Sequence, residues 1–288
     1  MVRTFFTFLI IALLSPLEAQ DENDHRIPDI YAFQNGVRFG SVAENIQKLE
    51  ELGYDGIGSV YPESVPEYLA ACKGSDIKLF STYLGGKVSE NDYTYAPNVT
   101  TAISALKGTD VFIELYIQRG KGANDEQAIL FIREIAKQAE DSGLKVVLYP
   151  HFGFYVDTLS DAIRLAKASE CKNVGVMFNL CHFLRVEPQS DLEKTIASAR
   201  GLLWSVSTNG ADSEGKDWAS LIQPLDQGTF KQERFIKALK KNDYHGPIGL
   251  QCYGIKLPSE DHLKRSISAW QEWNKPASLT PDPSQGIR

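Results

Sequence analysis

The sequence has no cluster of basic residues anywhere along its length. Its 30 lysines and arginines are outnumbered by 37 aspartates and glutamates, which gives a formal net charge of −7 at pH 7. A protein that holds a phosphate backbone needs a patch or stripe of cations, so nucleic-acid binding is disfavoured. The negative net charge also disfavours docking on an anionic membrane surface.

Long apolar runs are equally scarce, and the one that exists lies at the start. The basic start Met1-Val2-Arg3 precedes an apolar run from Phe5 to Leu14, and the small residues Ser15 and Ala19 follow. This order is typical of a secretory signal peptide, and about ten apolar residues are too few to cross a bilayer comfortably. We therefore predict a signal peptide over residues 1–19 and export to the periplasm or the outside, with an N-terminal anchor as the alternative. After its removal we expect no membrane association.

Cysteine is rare, with four residues in a chain of 288: Cys72, Cys171, Cys181 and Cys252. A chain of this length can bury its own hydrophobic core, so it does not need a disulfide framework, and we expect buried free thiols. Also missing is the fingerprint G-x-G-x-x-G, because only Gln34-Asn35-Gly36 follows the first predicted strand. This absence disfavours a dinucleotide-binding fold.

What the chain does have is a regular alternation of strand and helix patterns. Eight short β-branched or aromatic runs predict strands: Ile30–Phe33, Gly56–Val60, Ile77–Tyr83, Val111–Ile117, Lys145–Tyr149, Asn173–Leu180, Leu202–Ser207 and Pro247–Cys252. Amphipathic stretches predict the helices that follow them: Ala43–Leu52, Val65–Cys72, Thr101–Leu106, Glu126–Glu140, Leu159–Ala168, Leu192–Ala199, Gln232–Lys241 and Ser266–Trp273. This α/β pattern predicts a single closed (β/α)8 TIM barrel over residues 28–274. The proline-containing tail, residues 275–288, is predicted to be disordered.

In such a barrel the reactive groups lie at the C-terminal ends of the strands and in the loops that follow them. The fifth predicted strand leads into Tyr149-Pro150-His151, the sixth into Asn179-Leu180-Cys181-His182, the seventh ends at Ser207, and the eighth contains Gln251. Side chains alternate between the two faces of a strand. Asn179 and Gln251 therefore lie at the C-terminal end of the barrel interior if their faces of the two strands point inward.

Three segments resemble those of a known family. The run from Asn173 to His182 is similar to the strand-six motif of the xylose isomerase-like sugar isomerases and epimerases, in which an Asp is followed three residues later by a His. The segments Leu225-Asp226-Gln227-Gly228-Thr229 and Tyr244-His245-Gly246-Pro247-Ile248 resemble the same family. The chain is thus identified as a divergent member of the xylose isomerase-like TIM barrel family.

The resemblance implies a divalent cation such as Mn, held by Glu, Asp, His and Glu on the last four strands, and two Glu residues that move a proton beside a carbonyl. Here Tyr149 stands at the first Glu position, Asn179 at the Asp position, Ser207 near the His position and Gln251 at the final Glu position. Neutral side chains offer a hard cation no charged oxygen, and an amide neither takes nor gives a proton near pH 7. We therefore predict that this chain has no metal ligands and no cofactor.

Three functional hypotheses stay open. In the first, the barrel is an isomerase or epimerase of a carbohydrate or polyol, and the catalytic candidates are His182, His151 and Glu114, a carboxylate on the fourth strand. The residues assigned to substrate binding are Tyr149, Asn179, Ser207 and Gln251. In the second, the barrel binds a sugar or polyol without reacting it. In the third, Asn179 and Gln251 are only buried polar groups that the backbone satisfies.

Aromatic residues lie close to these strand ends. Phe152, Phe154, Phe183 and Tyr253 can stack on sugar rings. The four tryptophans are interpreted instead as core or helix-packing residues: Trp204, Trp218, Trp270 and Trp273. The predicted partner is a small carbohydrate or polyol, and the sequence leaves the oligomeric state open.

Overall fold

The structure, a computed structural model, describes residues 28–273. The predicted signal peptide (residues 1–19) and the predicted tail (residues 275–288) lie outside the described residues. Within residues 28–273, no helix has both the length and the apolar character needed to cross a membrane. All four cysteines are free thiols, as expected, although only Cys181 and Cys252 are buried.

Ten strands of the described region, residues 28–273, form one curled sheet. In chain order they are β1 (Ile30–Phe33), β2 (Gly56–Gly58), β3 (Lys78–Leu79), β4 (Ser81–Val88), β5 (Tyr93–Tyr95), β6 (Phe112–Arg119), β7 (Lys145–Leu148), β8 (Val174–Asn179), β9 (Leu203–Thr208) and β10 (Ile248–Leu250). Hydrogen bonds connect them in the order β3-β2-β1-β10-β9-β8-β7-β6-β4-β5. All of these pairs are parallel except β4 with β5.

The barrel closes through a strand that is split at Phe80. The backbone N–H of Phe80 donates to the carbonyl oxygen of Ile57 at 2.8 Å, and its own carbonyl accepts from the N–H of Phe112 at 2.9 Å. An isolated parallel bridge joins Val60 to Thr82 one step further along. β3 and β4 therefore occupy one position of an eight-position barrel, which confirms the predicted TIM barrel fold.

In the part of the chain that the structure describes, ten helices cover the outside of the sheet. They are α1 (Val42–Leu52), α2 (Val65–Ala71), α3 (Asn98–Ala105), α4 (Asp125–Asp141), α5 (Leu159–Ser169), α6 (Leu180–Val186), α7 (Leu192–Ser198), α8 (Trp218–Leu221), α9 (Gln232–Lys241) and α10 (Ser259–Trp273). Local signals fix their ends: Ser41 and Glu44 form a capping box at the start of α1, and Gly53 ends this helix at φ 85°. α6 and α8 were not predicted, and the other eight match the predicted helices.

One further element was missed. β4 runs past Tyr83, where the third predicted strand ends, and pairs with the short antiparallel strand β5. The rings of Tyr93 and Tyr95 pack against Phe131 of α4, with centroid distances of 5.4 and 5.7 Å. A three-residue strand is too short to show an alternation of polar and apolar residues, so the hairpin has no clear sequence signal.

The hydrophobic core has two separate parts. Aliphatic and aromatic residues fill the layer between sheet and helices, and a second cluster fills the barrel itself. Five buried residues form this inner cluster: Tyr31, Phe33, Val147, Tyr149 and Met177. A Cβ on Gly249 would lie 2.4 Å from the ring of Phe33, so glycine is needed there to make room for the ring. The inward direction of Gly249 and Met177 fixes that of Gln251 and Asn179 two residues further along each strand.

Candidate functional site

A cavity of about 240 Å³ opens at the C-terminal ends of the barrel strands. Its wall includes residues that follow β1, β2, β7 and β10, as expected for the site of this fold. The lining residues are Asn35, Ser59, Tyr61, Tyr83, Tyr149, His151, His182, Trp218, Ile222, Gln251 and Tyr253. None of these is Asp, Glu, Lys or Arg, so the cavity offers hydroxyl, amide, imidazole and aromatic groups.

The predicted site residues divide into two sets by their position. Four of them line the cavity: Tyr149, His151, His182 and Gln251. Asn179 and Ser207, which pair in register on β8 and β9, are buried behind this lining. Glu114 on β6 is also buried, with an exposed fraction of 0%. These last three residues can act on a ligand in the cavity only through the residues that separate them from it.

His182 stands in the first turn of α6 and not at the end of a strand, where the sequence pattern placed it. β8 ends at Asn179, and α6 begins at Leu180. The segment from Leu180 to Val186 follows without any glycine or proline, so a strand end and a helix start look alike there. His182 nevertheless lines the cavity, with 5% of its surface exposed.

The backbone of one residue holds both histidines. The N–H of Phe152 donates to Nδ1 of His182 at 3.2 Å, and the carbonyl oxygen of Phe152 lies 3.0 Å from Nδ1 of His151. An N–H only donates and a carbonyl only accepts, so Nδ1 of His182 is unprotonated and Nδ1 of His151 carries a proton. In the neutral rings, Nε2 of His182 is then an N–H donor and Nε2 of His151 is an acceptor.

Both rings are held in the neutral form. Burial lowers the pKa of His182 well below its usual value, and the neighbouring His151 lowers it further. Burial also lowers the pKa of His151, although the carbonyl of Phe152 and the carboxylate of Asp157 oppose this shift. The two ring centroids lie 4.2 Å apart. The pair therefore offers one acidic N–H and one basic nitrogen side by side in the cavity wall.

Tyr149 lies between two amide groups. Nδ2 of Asn179 donates a short hydrogen bond to its phenolic oxygen, and Nε2 of Gln251 donates to the same oxygen at 3.5 Å. Two N–H donors occupy the lone pairs of the oxygen, so the phenolic proton points in a third direction. Burial raises the pKa of Tyr149 well above its usual value, and the nearby Tyr83 phenol adds to the shift. Tyr149 is thus a protonated donor whose orientation its neighbours fix.

Backbone groups determine which way the Gln251 amide faces. Its Oε1 accepts from the N–H groups of Cys252 and Tyr253, both at 3.0 Å, and from Nδ2 of Asn35 at 2.7 Å. Backbone N–H groups have no acceptor capacity, so the amide oxygen must face them and the NH₂ must face Tyr149. The oxygen of Gln251 is consequently saturated by protein donors.

The model of the xylose isomerase-like TIM barrel family matches residues 46–273 of this chain. The chain belongs to the xylose isomerase-like TIM barrel family. Three solved structures illustrate the shared fold. The 3-keto-D-glucoside 4-epimerase from E. coli is 16% identical with a TM-score of 0.68, and the match covers 85% of this chain and 99% of that one. The D-allulose 3-epimerase from Methylomonas sp. in complex with D-allulose is 14% identical, with a TM-score of 0.66 and coverages of 85% and 97%.

The third structure is the IOLI protein with a binding zinc atom, which is 13% identical with a TM-score of 0.64 and coverages of 85% and 97%. None of the curated proteins matches the chain. Identities this low establish the fold and not the reaction.

Next to the cavity of this family member, Glu114 is hydrogen-bonded to Ser59. The Ser59 hydroxyl donates to Oε2 of Glu114 at 2.6 Å, and the Ser59 N–H donates to Oγ of Ser81 at 2.7 Å. Burial raises the pKa of Glu114 to about 7, although the hydroxyls of Ser59, Ser81 and Tyr31 oppose this shift. Since Ser59 lines the cavity and Glu114 does not, Ser59 lies between the carboxyl group and the cavity.

Several lining residues were not predicted from the sequence. They are Asn35, Ser59, Tyr61, Tyr83, Trp218 and Ile222. Trp218 packs against the hydrophobic core, as interpreted from the sequence, and the short helix α8 also brings it to the cavity wall, 5.3 Å from His182 between ring centroids. Asn35 and Ser59 follow the C-terminal ends of β1 and β2, so the general rule for barrel sites predicts them. The family resemblance concerns only the last four strands and does not include them.

Proposed function

We propose that this chain is an exported isomerase or epimerase of a neutral carbohydrate or polyol, and that it works without the divalent cation typical of its family. The observation that carries the proposal is the pairing of His151 and His182 on the backbone of Phe152. This pairing supplies an acceptor nitrogen and a donor N–H in one cavity wall, which is what proton transfer beside a carbonyl requires.

The proposed reaction moves one proton at a carbon next to a carbonyl group. Nε2 of His151 takes the proton from carbon, the C–H bond electrons form the carbon–carbon double bond of an enediol, and the carbonyl oxygen becomes negatively charged. The O–H of Tyr149 and the Nε2–H of His182 donate to this oxygen. Return of the proton from His151 to the same carbon regenerates the original carbonyl compound. Return to the neighbouring carbon forms the isomer when a proton also moves from the hydroxyl oxygen of the enediolate to the other oxygen, so atoms and charge balance.

The cavity lining supports a neutral sugar as the substrate. Among residues 28–273, no lysine or arginine lines the cavity, so a phosphate or carboxylate group would find no cation of this part of the chain there. Tyr61 and Tyr253 line it while 40% and 57% of their surfaces are exposed, as is typical of aromatic residues that stack on sugar rings. The similar structures include two sugar epimerases, a 3-keto-D-glucoside 4-epimerase and a D-allulose 3-epimerase.

The residues at the family's ligand positions do not fit a divalent cation. The NH₂ groups of Asn179 and Gln251 both donate toward Tyr149, and their oxygens accept from Cys181 and from three N–H groups, respectively. Ser207 adds only a neutral hydroxyl. A hard cation needs charged oxygens that are free to turn toward it. Among residues 28–273, no group of three or more His, Cys, Asp or Glu side chains could hold a metal ion.

Export is proposed from the first residues alone. The basic start, the apolar run from Phe5 to Leu14 and the small residues after it support a cleaved signal peptide. Mass spectrometry of the protein recovered from a fractionated culture tests this, because cleavage near residue 19 shortens the mature chain. A full-length chain in the cytoplasmic fraction contradicts export.

Solvent-deuterium exchange tests the reaction. D-allulose, 3-keto-D-glucosides and keto-inositols are incubated with the protein in D₂O, and mass spectrometry follows incorporation at carbon. We expect incorporation by the wild-type protein and none by His182→Ala. His245→Ala is the matched control, because His245 is exposed and lies outside the cavity. Calorimetric binding of these sugars without any exchange would favour the alternative, a sugar-binding barrel that does not react its ligand.

A further inference from the structure

Ser59 is a residue of the cavity wall that the proposed proton transfer at carbon does not use. Its backbone adopts a left-handed conformation with φ 53°, which serine rarely takes. The N–H of Ser59 donates to Oγ of Ser81 at 2.7 Å, and the Ser59 hydroxyl donates to Oε2 of Glu114 at 2.6 Å. Such strain persists where the surrounding structure fixes a residue in one place, and it is concentrated at functional sites.

The position of Ser59 in the barrel is opposite to that of the histidine pair. Ser59 follows β2, whereas His182 follows β8. Around the closed barrel, three strand positions separate β2 from β8 in either direction, because β3 and β4 share one position. Both residues line the same cavity. A ligand bound there therefore has Ser59 on one side and the histidines on the other.

Glu114 is a buried carboxyl group without a cationic partner. Its Oε1 has no hydrogen-bond partner within residues 28–273, and its Oε2 accepts from Ser59. The groups that face it are hydroxyls: Tyr31 on β1, Ser59 after β2 and Ser81 on β4, with the phenols of Tyr83 and Tyr149 further off. A buried carboxylate that only hydroxyls stabilise gains by taking up a proton.

We propose that Ser59 is a second proton-transfer residue of this cavity, which accepts a proton from a hydroxyl of the bound sugar while it passes its own proton to Glu114. The inference rests on the proposed function. In this step the sugar O–H bond and the Ser59 Oγ–H bond break, and new Oγ–H and Oε2–H bonds form. The negative charge moves from Glu114 to the sugar oxygen. Glu114 does not touch the sugar, so it is a positioning residue that acts through Ser59.

The relay complements the chemistry of the histidines. Isomerisation through an enediol moves a proton on carbon and also a proton between the two neighbouring oxygens. His151 serves the carbon, and Ser59 with Glu114 serves an oxygen on the opposite side. The pKa of Glu114, raised to about 7 by burial, leaves both of its protonation states populated near neutral pH, which suits a group that takes up and returns a proton.

Two substitutions of Ser59 separate the role of its hydroxyl from its role in the fold. Ser59→Ala removes the hydroxyl and keeps the strained backbone, whereas Ser59→Gly removes the hydroxyl and relieves the strain. With the sugar panel above, we expect both variants to lose about 100-fold in the rate at which the isomerised sugar forms, the lower range of general acid–base effects. Deuterium exchange at carbon, which His151 performs, should persist. Asp243→Gly is the matched control, because Asp243 is exposed and also has a positive φ, 57°.

Glu114→Gln tests the relay through its pH dependence. The wild-type rate of isomer formation should rise with pH through a midpoint near 7, where Glu114 becomes able to accept a proton. Glu114→Gln should lose this dependence together with the rate, and Glu114→Asp should recover part of both. A rate for Glu114→Gln that follows the wild-type pH profile overturns the role of Glu114.

The outcomes distinguish this inference from the proposed function. Wild-type rates of isomer formation in both Ser59→Ala and Ser59→Gly, with exchange abolished in His182→Ala, overturn the role of Ser59 and leave the proposed function intact. If the wild-type protein exchanges deuterium into none of the sugars, both fall together. Loss of isomer formation in both Ser59 variants with a normal rate in Asp243→Gly supports the relay.

Discussion

At the scale of single residues, the site depends on side chains whose hydrogen-bond partners leave each of them one free donor or acceptor. Phe152 uses its N–H on one histidine and its carbonyl on the other, which sorts the pair into donor and acceptor. Asn179 and Gln251 do the same for Tyr149, since two amide donors leave its O–H as the only free function. Groups that are ordered before a ligand arrives need little reorganisation when charge develops.

Tyr149→Phe is expected to affect catalysis and stability together. Removal of the O–H takes away one donor to the developing oxyanion, so deuterium exchange should fall by about 100-fold or more. The NH₂ groups of Asn179 and Gln251 then lose their acceptor in a buried place, which should cost about 1–3 kcal/mol in the free energy of unfolding. Urea denaturation and exchange kinetics measure the two effects. Tyr93→Phe, at a half-buried site outside the cavity, should change neither.

Glu114→Gln is expected to change how stability depends on pH. Burial raises the pKa of Glu114 from 4.5 to about 7, so between these values the folded protein binds more protons than the unfolded chain. The wild-type free energy of unfolding therefore falls relative to that of Glu114→Gln as pH rises through this window. Above pH 7 the wild-type free energy of unfolding should have fallen by about 3 kcal/mol relative to that of Glu114→Gln, at 1.36 kcal/mol per pKa unit. Urea denaturation at several pH values between 4.5 and 8 measures it; parallel curves for the two proteins would contradict the raised pKa.

At the scale of single elements, helix caps position the loops that carry the site. α5 begins after Thr158, whose side chain accepts from the N–H of Asp161 while the Asp161 carboxylate accepts from the N–H of Thr158. This capping box ends the loop that contains Tyr149, His151 and Phe152. The sequence shows it as Thr158 three residues before an acidic side chain, ahead of an amphipathic run.

Thr158→Ala is expected to lower the free energy of unfolding by about 1 kcal/mol, because the first turn of α5 loses its cap. Thermal or urea denaturation measures the loss. Thr101→Ala is the matched control, since Thr101 is exposed within α3 and its hydroxyl makes only a long hydrogen bond of 3.5 Å to the carbonyl of Pro97. Equal losses in the free energy of unfolding for the two substitutions would show that the cap of α5 does not stabilise the fold.

Elements with a periodic pattern or an end signal could be predicted from the sequence. α1 combines an amphipathic run with Ser41 before it and Gly53 after it, and its predicted and observed ends agree within one residue. β5, α6 and α8 have neither signal. β5 has three residues and α8 has four, and α6 continues β8 without a breaker. Tertiary contacts decide their conformation, and a single sequence does not show those contacts.

The candidate site was predicted in part, for a related reason. The rule that barrel sites lie at the C-terminal ends of strands predicts Tyr149, His151 and His182, and all three line the cavity. The same rule applied to β2 would have included Ser59. The burial of Ser207 behind the lining depends on the register of β9 with β8 and β10, which becomes visible only when the sheet is assembled.

At the scale of the whole molecule, an acidic protein surrounds a cavity without charged lining residues. The chain has a net charge of −7, yet Glu114 is the carboxyl group next to the cavity, and Ser59 covers it. The barrel interior below is filled by aromatic rings. A ligand therefore meets dipoles of fixed orientation in a low-dielectric site, where hydrogen bonds to a developing charge are stronger than in water.

The final prediction concerns the metal content of the intact protein. Protein purified without chelators should contain well below one equivalent of Mn, Zn or Co by elemental analysis, and EDTA should leave its Tm unchanged. A cation bound only to the folded state would raise the free energy of unfolding, so its removal would lower Tm.

The triple variant Tyr149→Glu, Asn179→Asp, Gln251→Glu provides the opposite case. Its three carboxylates should bind Mn²⁺, which makes its Tm sensitive to EDTA. A full equivalent of metal in the wild-type protein would contradict the assignment of Tyr149, Asn179 and Gln251 as a hydrogen-bonded set.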